Sequence, residues 1–192
     1  MENLRYYEKE VLSVSTGRTI ELTEKYNIYA FPNDNNHKYK KFIFITFRRN
    51  KNLKIGYIGG EMENLYKVVD DTLVLDPNDL EYKDRIKKEY NKYADRLLNY
   101  VQDRKDIDEF EKEGKFRFYI LSETEQIRLD KKPVPIHGHG PGKIYYTLSE
   151  ILSGKKKIRS ENECKDNNIQ MTNFQIDGCM EMNLKDILVV IT

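Results

Sequence analysis

The sequence predicts an α+β chain: a curled, mostly antiparallel sheet or β-barrel, with one long helix packed on it and one short helix. Two patterns predict it. About seven to nine short runs rich in aromatic and β-branched residues read as strands, joined by short polar links. One long segment, 77–104, instead carries apolar residues at helical spacing. The chain has 192 residues, enough for one domain or one domain with an extension.

The elements follow in order. VLSVST (11–16) and NIYAF (27–31) read as short strands, and FPNDNNHKYKK (31–41) as a polar turn around Pro32. KFIFITFRR (41–49) is the clearest strand, apolar on both faces and therefore expected inside a covered sheet. LKIGYIGG (53–60) reads as a second strand ending in Gly59-Gly60, and NLYKVVDDTLVL (64–75) as a third. With such short links the three predict an antiparallel meander.

Asp76 is then a good N-cap and Pro77 suits the first helical position. A stripe of Leu80 or Tyr82, Ile86, Tyr90, Tyr93, Leu97 and Tyr100 or Val101 faces a core, opposite charged Lys83, Lys87, Lys88, Asp95 and Arg96. KFRFYILS (115–122), QIRL (126–129) and KIYYT (143–147) are further strands. LSEILSG (148–154) is a short helix stopped by Gly154. The organisation expected is a domain over 1–154 with a helical insertion at 77–104, and an extension over 155–192 closing with the strand KDILVVIT.

Composition narrows the function. Lys+Arg 33 against Asp+Glu 32 leaves a net charge of +1, so no global field steers the chain to nucleic acid and a binding surface has to come from local clustering. The two cysteines, Cys164 and Cys179, form neither a CxxC pair nor a disulfide framework. The amino terminus is acidic where a signal peptide is basic, and no apolar run reaches membrane-spanning length. The expectation is a cytoplasmic protein with free thiols, no cofactor and no membrane contact. Tyr (14) and Phe (8) are abundant while Trp is absent, a bias that an AT-rich genome produces without functional cause.

The segment IHGHGPGKIYY (136–146) is the densest in chemistry. On an extended segment His137 and His139 share a side and could ligate a metal, but no cluster of Asp, Glu or Cys is spaced to complete the set. GHGPGK has the glycines and lysine of a phosphate cradle without the GxxxxGK[ST] pattern, so it is not a P-loop, though it could hold a phosphate or base edge less regularly. KIGYIGG is one overlapping run rather than the two separate tripeptides of GIY-YIG nucleases. Glu81-Tyr82-Lys83 fits the string of a PD-(D/E)xK site but falls at a helix start. Cations beside aromatics are more informative: Arg48 and Arg49, Tyr57, Arg117 with Phe118 and Tyr119, and Lys143 with Tyr145 and Tyr146. Such pairs suit phosphates and unstacked bases, although any one of these rings can equally be core.

The order of segments resembles PUA-like domains of the EVE and ASCH type, small β-barrels that accompany RNA modification and bacterial restriction or defence systems. KFIFITFRRNKNLKIGYIGGEMENLYKVVDDTLVL resembles their hairpin with its aromatic-Lys-Val return. KFRFYILSETEQIRLDKKPVPIHGHGPGKIYYTLSEIL resembles the strand, Leu-x-x-Pro-Ile segment and aromatic-Thr-Leu short helix near the end of such domains. The match covers about residues 27–154; the helix 77–104, the HGHGPG loop and the tail 155–192 depart from it. The resemblance implies a ligand groove used for modified bases or RNA.

The expected function is non-catalytic recognition of nucleic acid, or of a modified base or nucleotide. The groove would be lined by the ends of strands 41–49 and 53–59 and by the loop 136–146. Arg48 and Lys143 would contact phosphate, Tyr57 and Tyr145 or Tyr146 would stack on a base, and His137 or His139 would read an edge. Two alternatives stay open: a metal-dependent nuclease or phosphodiesterase using the HGH pair, and a module that binds a protein partner.

Overall fold

The computed structural model describes residues 11–15, 17–108, 110, 114–137 and 142–164. In chain order the elements are β1 (Val11–Ser15), α1 (Ile20–Tyr26), β2 (Ile28–Pro32), β3 (Phe44–Arg48), β4 (Met62–Asp70), β5 (Val74–Leu75), α2 (Tyr82–Glu89), α3 (Ala94–Asp108), β6 (Phe116–Arg128), β7 (Val134–Pro135), β8 (Lys143–Tyr146), α4 (Leu148–Ile151) and β9 (Lys157–Ile158). The chain is mixed α+β, and it divides into two compact units. The amino-terminal decapeptide, His139, Cys179 and the closing strand expected at the carboxyl end lie outside the described residues.

The first unit comprises residues 1–15, 41–65 and 127–192. Its strand path runs β4, β3, β1, β8. β1 pairs with β3 in parallel, Val11 opposite Phe44, and with β8 antiparallel, Val11 opposite Tyr146. β3 and β4 form an antiparallel hairpin, clamped where Arg49 N donates to Glu61 O and Gly60 N to Arg49 O, both at 2.8 Å. β7 and β9 make a separate parallel pair. The core gathers Val11, Met62, Leu65, Leu129, Tyr146, Ile151 and Ile158. Each such side chain contributes roughly 1.5–3 kcal/mol by leaving water. Thr147 caps α4, its Oγ1 accepting from Glu150 N at 3.2 Å, and Gly154 ends the segment at φ 73°.

The second unit comprises residues 16–40 and 66–126. β6 lies between β2 and the end of β4, with β5 also paired on β6. Its core packs Leu22, Ile28, Leu73, Ile86, Leu97, Tyr100, Val101 and Phe118 together. The guanidinium of Arg104 is buried here. It donates to Ala30 O at 2.8 Å and Tyr100 Oη at 3.1 Å, and it lies 4.5 Å from the Phe110 ring centroid. Buried cation–aromatic contact of this kind adds to what the hydrogen bonds contribute in holding the guanidinium out of water.

Four expectations need correction. LKIGYIGG is not a strand: Leu53–Ile55 forms a 3-10 turn, and Gly56, Gly59 and Gly60 all adopt positive φ, which breaks an extended run. The meander therefore reduces to one hairpin with a structured loop. The run 64–75 is two strands, parted where Asp70 Oδ1 accepts from Thr72 N and Oγ1. QIRL is not separate but the end of the thirteen-residue β6. Finally, helix 77–104 is two helices. Asp76 Oδ1 accepts from Asn78 N, and Asp79 Oδ1 from Glu81 N, so local side-chain turns displace the first helical turn and Leu80 is left 97% exposed. Tyr90, at φ −129° and ψ 36°, interrupts the remainder beside the weak helix formers Asn91 and Tyr93.

Candidate binding site

β8 positions three of the seven candidate residues singled out in the sequence. Lys143, Tyr145 and Tyr146 lie on it, and His137 lies just past β7. All four line one cavity of about 170 Å³ in the first unit, with Pro135 and the segment Ser160–Glu163 opposite. Four consecutive residues of β8 contribute to this lining. Alternate side chains of a strand face opposite ways, so a cavity that touches all four runs along the strand's edge. Among the described residues, β8 is the last strand of its path.

The cavity mixes charge. Lys143 and His137 are exposed, whereas Tyr145, Tyr146 and Glu161 are buried. His137 Nε2 lies 3.7 Å from Glu163 Oε1. Glu163 also accepts from Ser160 N while Ser160 Oγ accepts from Glu163 N at 3.4 Å, a reciprocal capping box. The string Ser-Glu-Asn-Glu was therefore a readable helix-start signal that placed two carboxylates beside the cavity. Burial pushes the Tyr146 phenol well above its usual range, against the opposing effect of Arg48, so it stays protonated. Among the described residues no three of His, Cys, Asp and Glu cluster to hold a metal ion.

Arg48 is not at the surface. It is 1% exposed, and its guanidinium donates to Ser13 O at 2.9 Å, to Ser13 Oγ at 3.0 Å and to Gly142 O. Gly142 N in turn donates to Ser15 Oγ at 3.2 Å. Arg48 thus fastens the point where the glycine-rich segment rejoins β8 onto β1. Gly142 takes φ 116° there, a backbone conformation that favours glycine.

Tyr57 belongs to a different cluster of the same unit. Its hydroxyl donates to Glu63 Oε2 at 3.0 Å, and Arg49 and Lys132 lie 5.3 and 5.8 Å from its ring centroid. Glu63 also takes Arg49 Nε at 3.2 Å and Lys132 Nζ at 2.5 Å. Burial alone would raise the Glu63 carboxyl, but hydrogen bonds from Lys132 and Tyr57, with the charges of Lys132 and Arg49, outweigh it and hold it below the usual range. The bond to Glu63 raises Lys132 in turn. Beside this cluster, Glu63, Arg128 and Lys132 line a second cavity of about 240 Å³. Sequence reasoning found Tyr57 but missed Glu63 and Lys132, which join it only through the fold.

Comparison with family models, curated proteins and solved structures returns no match to this chain. Among the described residues no helix is long and apolar enough to cross a membrane.

Proposed function

We propose that the chain is a non-catalytic binding module of the PUA-like kind, recognising nucleic acid or a single modified base or nucleotide at the cavity beside β8. The observation that carries this reading is convergence: His137, Lys143, Tyr145 and Tyr146, chosen for their chemistry alone, line one cavity. Pockets for drug-sized ligands run to roughly 300–1,000 Å³. A cavity of about 170 Å³ suits a single ring better. Lys143, exposed at its margin, supplies a cation for phosphate, and Glu161 and Glu163 supply acceptors for the amino group of a base. Arg48 takes a positioning role in this reading.

Fluorescence polarisation with single-stranded RNA, single-stranded DNA, and duplexes with and without modified cytosine tests it, each at two salt concentrations. Salt-sensitive binding that weakens in Lys143→Ala and in Tyr145→Ala, which removes the stacking ring, with both variants still folded by circular dichroism, is the expected result. Absence of binding to every probe would sink the reading.

One observation favours a second reading, a protein-interaction module. Among the described residues β8 ends its strand path, and the cavity follows that side of it, the kind of edge to which an extended peptide adds as a further strand. Binding of a protein partner that is insensitive to salt would support this reading over nucleic acid.

A further inference from the structure

The hairpin loop between β3 and β4, residues 49–60 (RNKNLKIGYIGG), carries three cations and no acidic residue in a chain whose net charge is only +1. Lys51 and Lys54 are exposed and make no ion pair with the described residues. Between and beyond them, Leu53 is 68% and Ile58 54% exposed. Exposed aliphatic residues are ordinary on loose loops, but this loop is held rigidly. Asn52 and Tyr57 exchange two backbone hydrogen bonds of 2.9 Å. Asn52 Oδ1 accepts from Lys54 N at 3.2 Å, Glu61 Oε2 accepts from Ile58 N at 3.2 Å, and Glu63 holds the Tyr57 hydroxyl. Gly56, at φ 84°, closes the turn. The fold thus fixes the backbone carrying two apolar side chains in water, one of them, Leu53, between the two lysines. A surface organised in this way loses little further entropy on contact.

We infer that this hairpin is a second nucleic-acid contact, in which Lys51 and Lys54 meet the phosphate chain while Leu53 and Ile58 lie against sugar or base surface. The inference rests on the proposed nucleic-acid reading and assigns it a surface outside the cavity. Three classes of partner share an anionic face, and the residues discriminate among them. Protein interfaces are depleted in lysine, whereas lysine is an ordinary point-charge partner for phosphate. A bilayer is disfavoured by size: even a whole myristoyl chain anchors only marginally, and two aliphatic side chains bury less.

The test is fluorescence polarisation of full-length protein with labelled single strands of RNA and DNA and their duplexes, titrated between about 50 and 200 mM salt. Each lost phosphate contact lowers the slope of log K against log salt by about 0.7 on a single strand, so Lys51→Ala with Lys54→Ala should lower it by about 1.4. Leu53→Ser with Ile58→Ser should weaken binding about tenfold at every salt concentration and leave the slope unchanged, the signature of an apolar contact. All four side chains are exposed, so melting temperatures should match the parent. If both double variants bind as the parent does while Lys143→Ala weakens, the hairpin inference falls and the cavity reading stands. Weakening in the hairpin variants alone supports the hairpin and removes the cavity. No binding of the parent to any oligonucleotide overturns both, and capture by anionic vesicles or an acidic protein without oligonucleotide binding reassigns the surface.

Discussion

Replacing Arg48 separates a structural tie from a ligand contact. The side chain is buried, and burial lowers its pKa, so the charge itself is held at a cost. Arg48→Ala removes two buried methylenes, a loss of about 1.5 kcal/mol. It also strips a donor from the buried carbonyl of Ser13, where an unsatisfied acceptor costs about 1–3 kcal/mol, and from the carbonyl of exposed Gly142, where water can replace it. Relief of the desolvated charge offsets part of this, leaving a net destabilisation of about 2–4 kcal/mol. Arg48→Met keeps the apolar stem and sheds the charge, so it should cost only about 1–2 kcal/mol. Urea unfolding, followed by tyrosine fluorescence and far-UV circular dichroism together, measures both. Two variants within about 0.5 kcal/mol of the parent, or methionine as damaging as alanine, would refute the argument. So would an oligonucleotide salt slope reduced by about one unit in a folded Arg48→Met protein, since that would make Arg48 a phosphate ligand.

Three further outcomes are expected. Because the folded-state pKa of Glu63 is depressed, its stabilising contribution is complete above the unfolded carboxyl value of about 4.3 and lost as pH falls through the folded value. Glu63→Gln should therefore melt earlier than the parent at neutral pH, by about 1–2 kcal/mol, yet lose less on acidification; parallel pH profiles would contradict this. Arg104→Lys gives up a planar group over Phe110 and the guanidinium geometry that reaches both Ala30 O and Tyr100 Oη, for a loss of about 1–3 kcal/mol in urea unfolding. Gly56→Ala meets no neighbour but is strained at φ 84°, so it should cost about 1–2 kcal/mol and weaken oligonucleotide binding in parallel with the hairpin variants.

Short strands were the most legible part of the sequence. VLSVS, IYAFP and KIYY combine β-branched and aromatic residues with nearby turn signals, and each forms a strand close to where it was read. Errors arose where local polar chemistry competes with a periodic pattern. Asp76 and Asp79 look like helix-start residues but spend their carboxylates on turns, and the glycines of LKIGYIGG disrupt an aliphatic run that otherwise reads as extended. The parallel pairing of β1 with β3 was not foreseeable, since periodicity says which face a residue takes and not which strand lies beside it. The site was half legible for the same reason. Residues 143–146 are contiguous and show their chemistry as a string, whereas Lys132 lies far in sequence from Tyr57 and Glu63 and meets them only through the turn after β6. Arg48 misled because a cation at a strand end looks solvent-directed until its neighbours are known.

The interleaving of the two units bears on how the chain is made. The second unit needs nothing beyond residue 126, while the first draws on segments from 1–15 to 127 and onward. During synthesis the inner unit can close first, and β1 waits for β8, since Val11 faces Tyr146. Pairing across so much sequence places this step among slow, topology-limited folding events, with the unpaired side of β1 exposed in the interval. Ser13 and Thr46, polar residues on the adjoining strands β1 and β3, lower the apolar content of that waiting surface and so its tendency to aggregate before the last strand arrives.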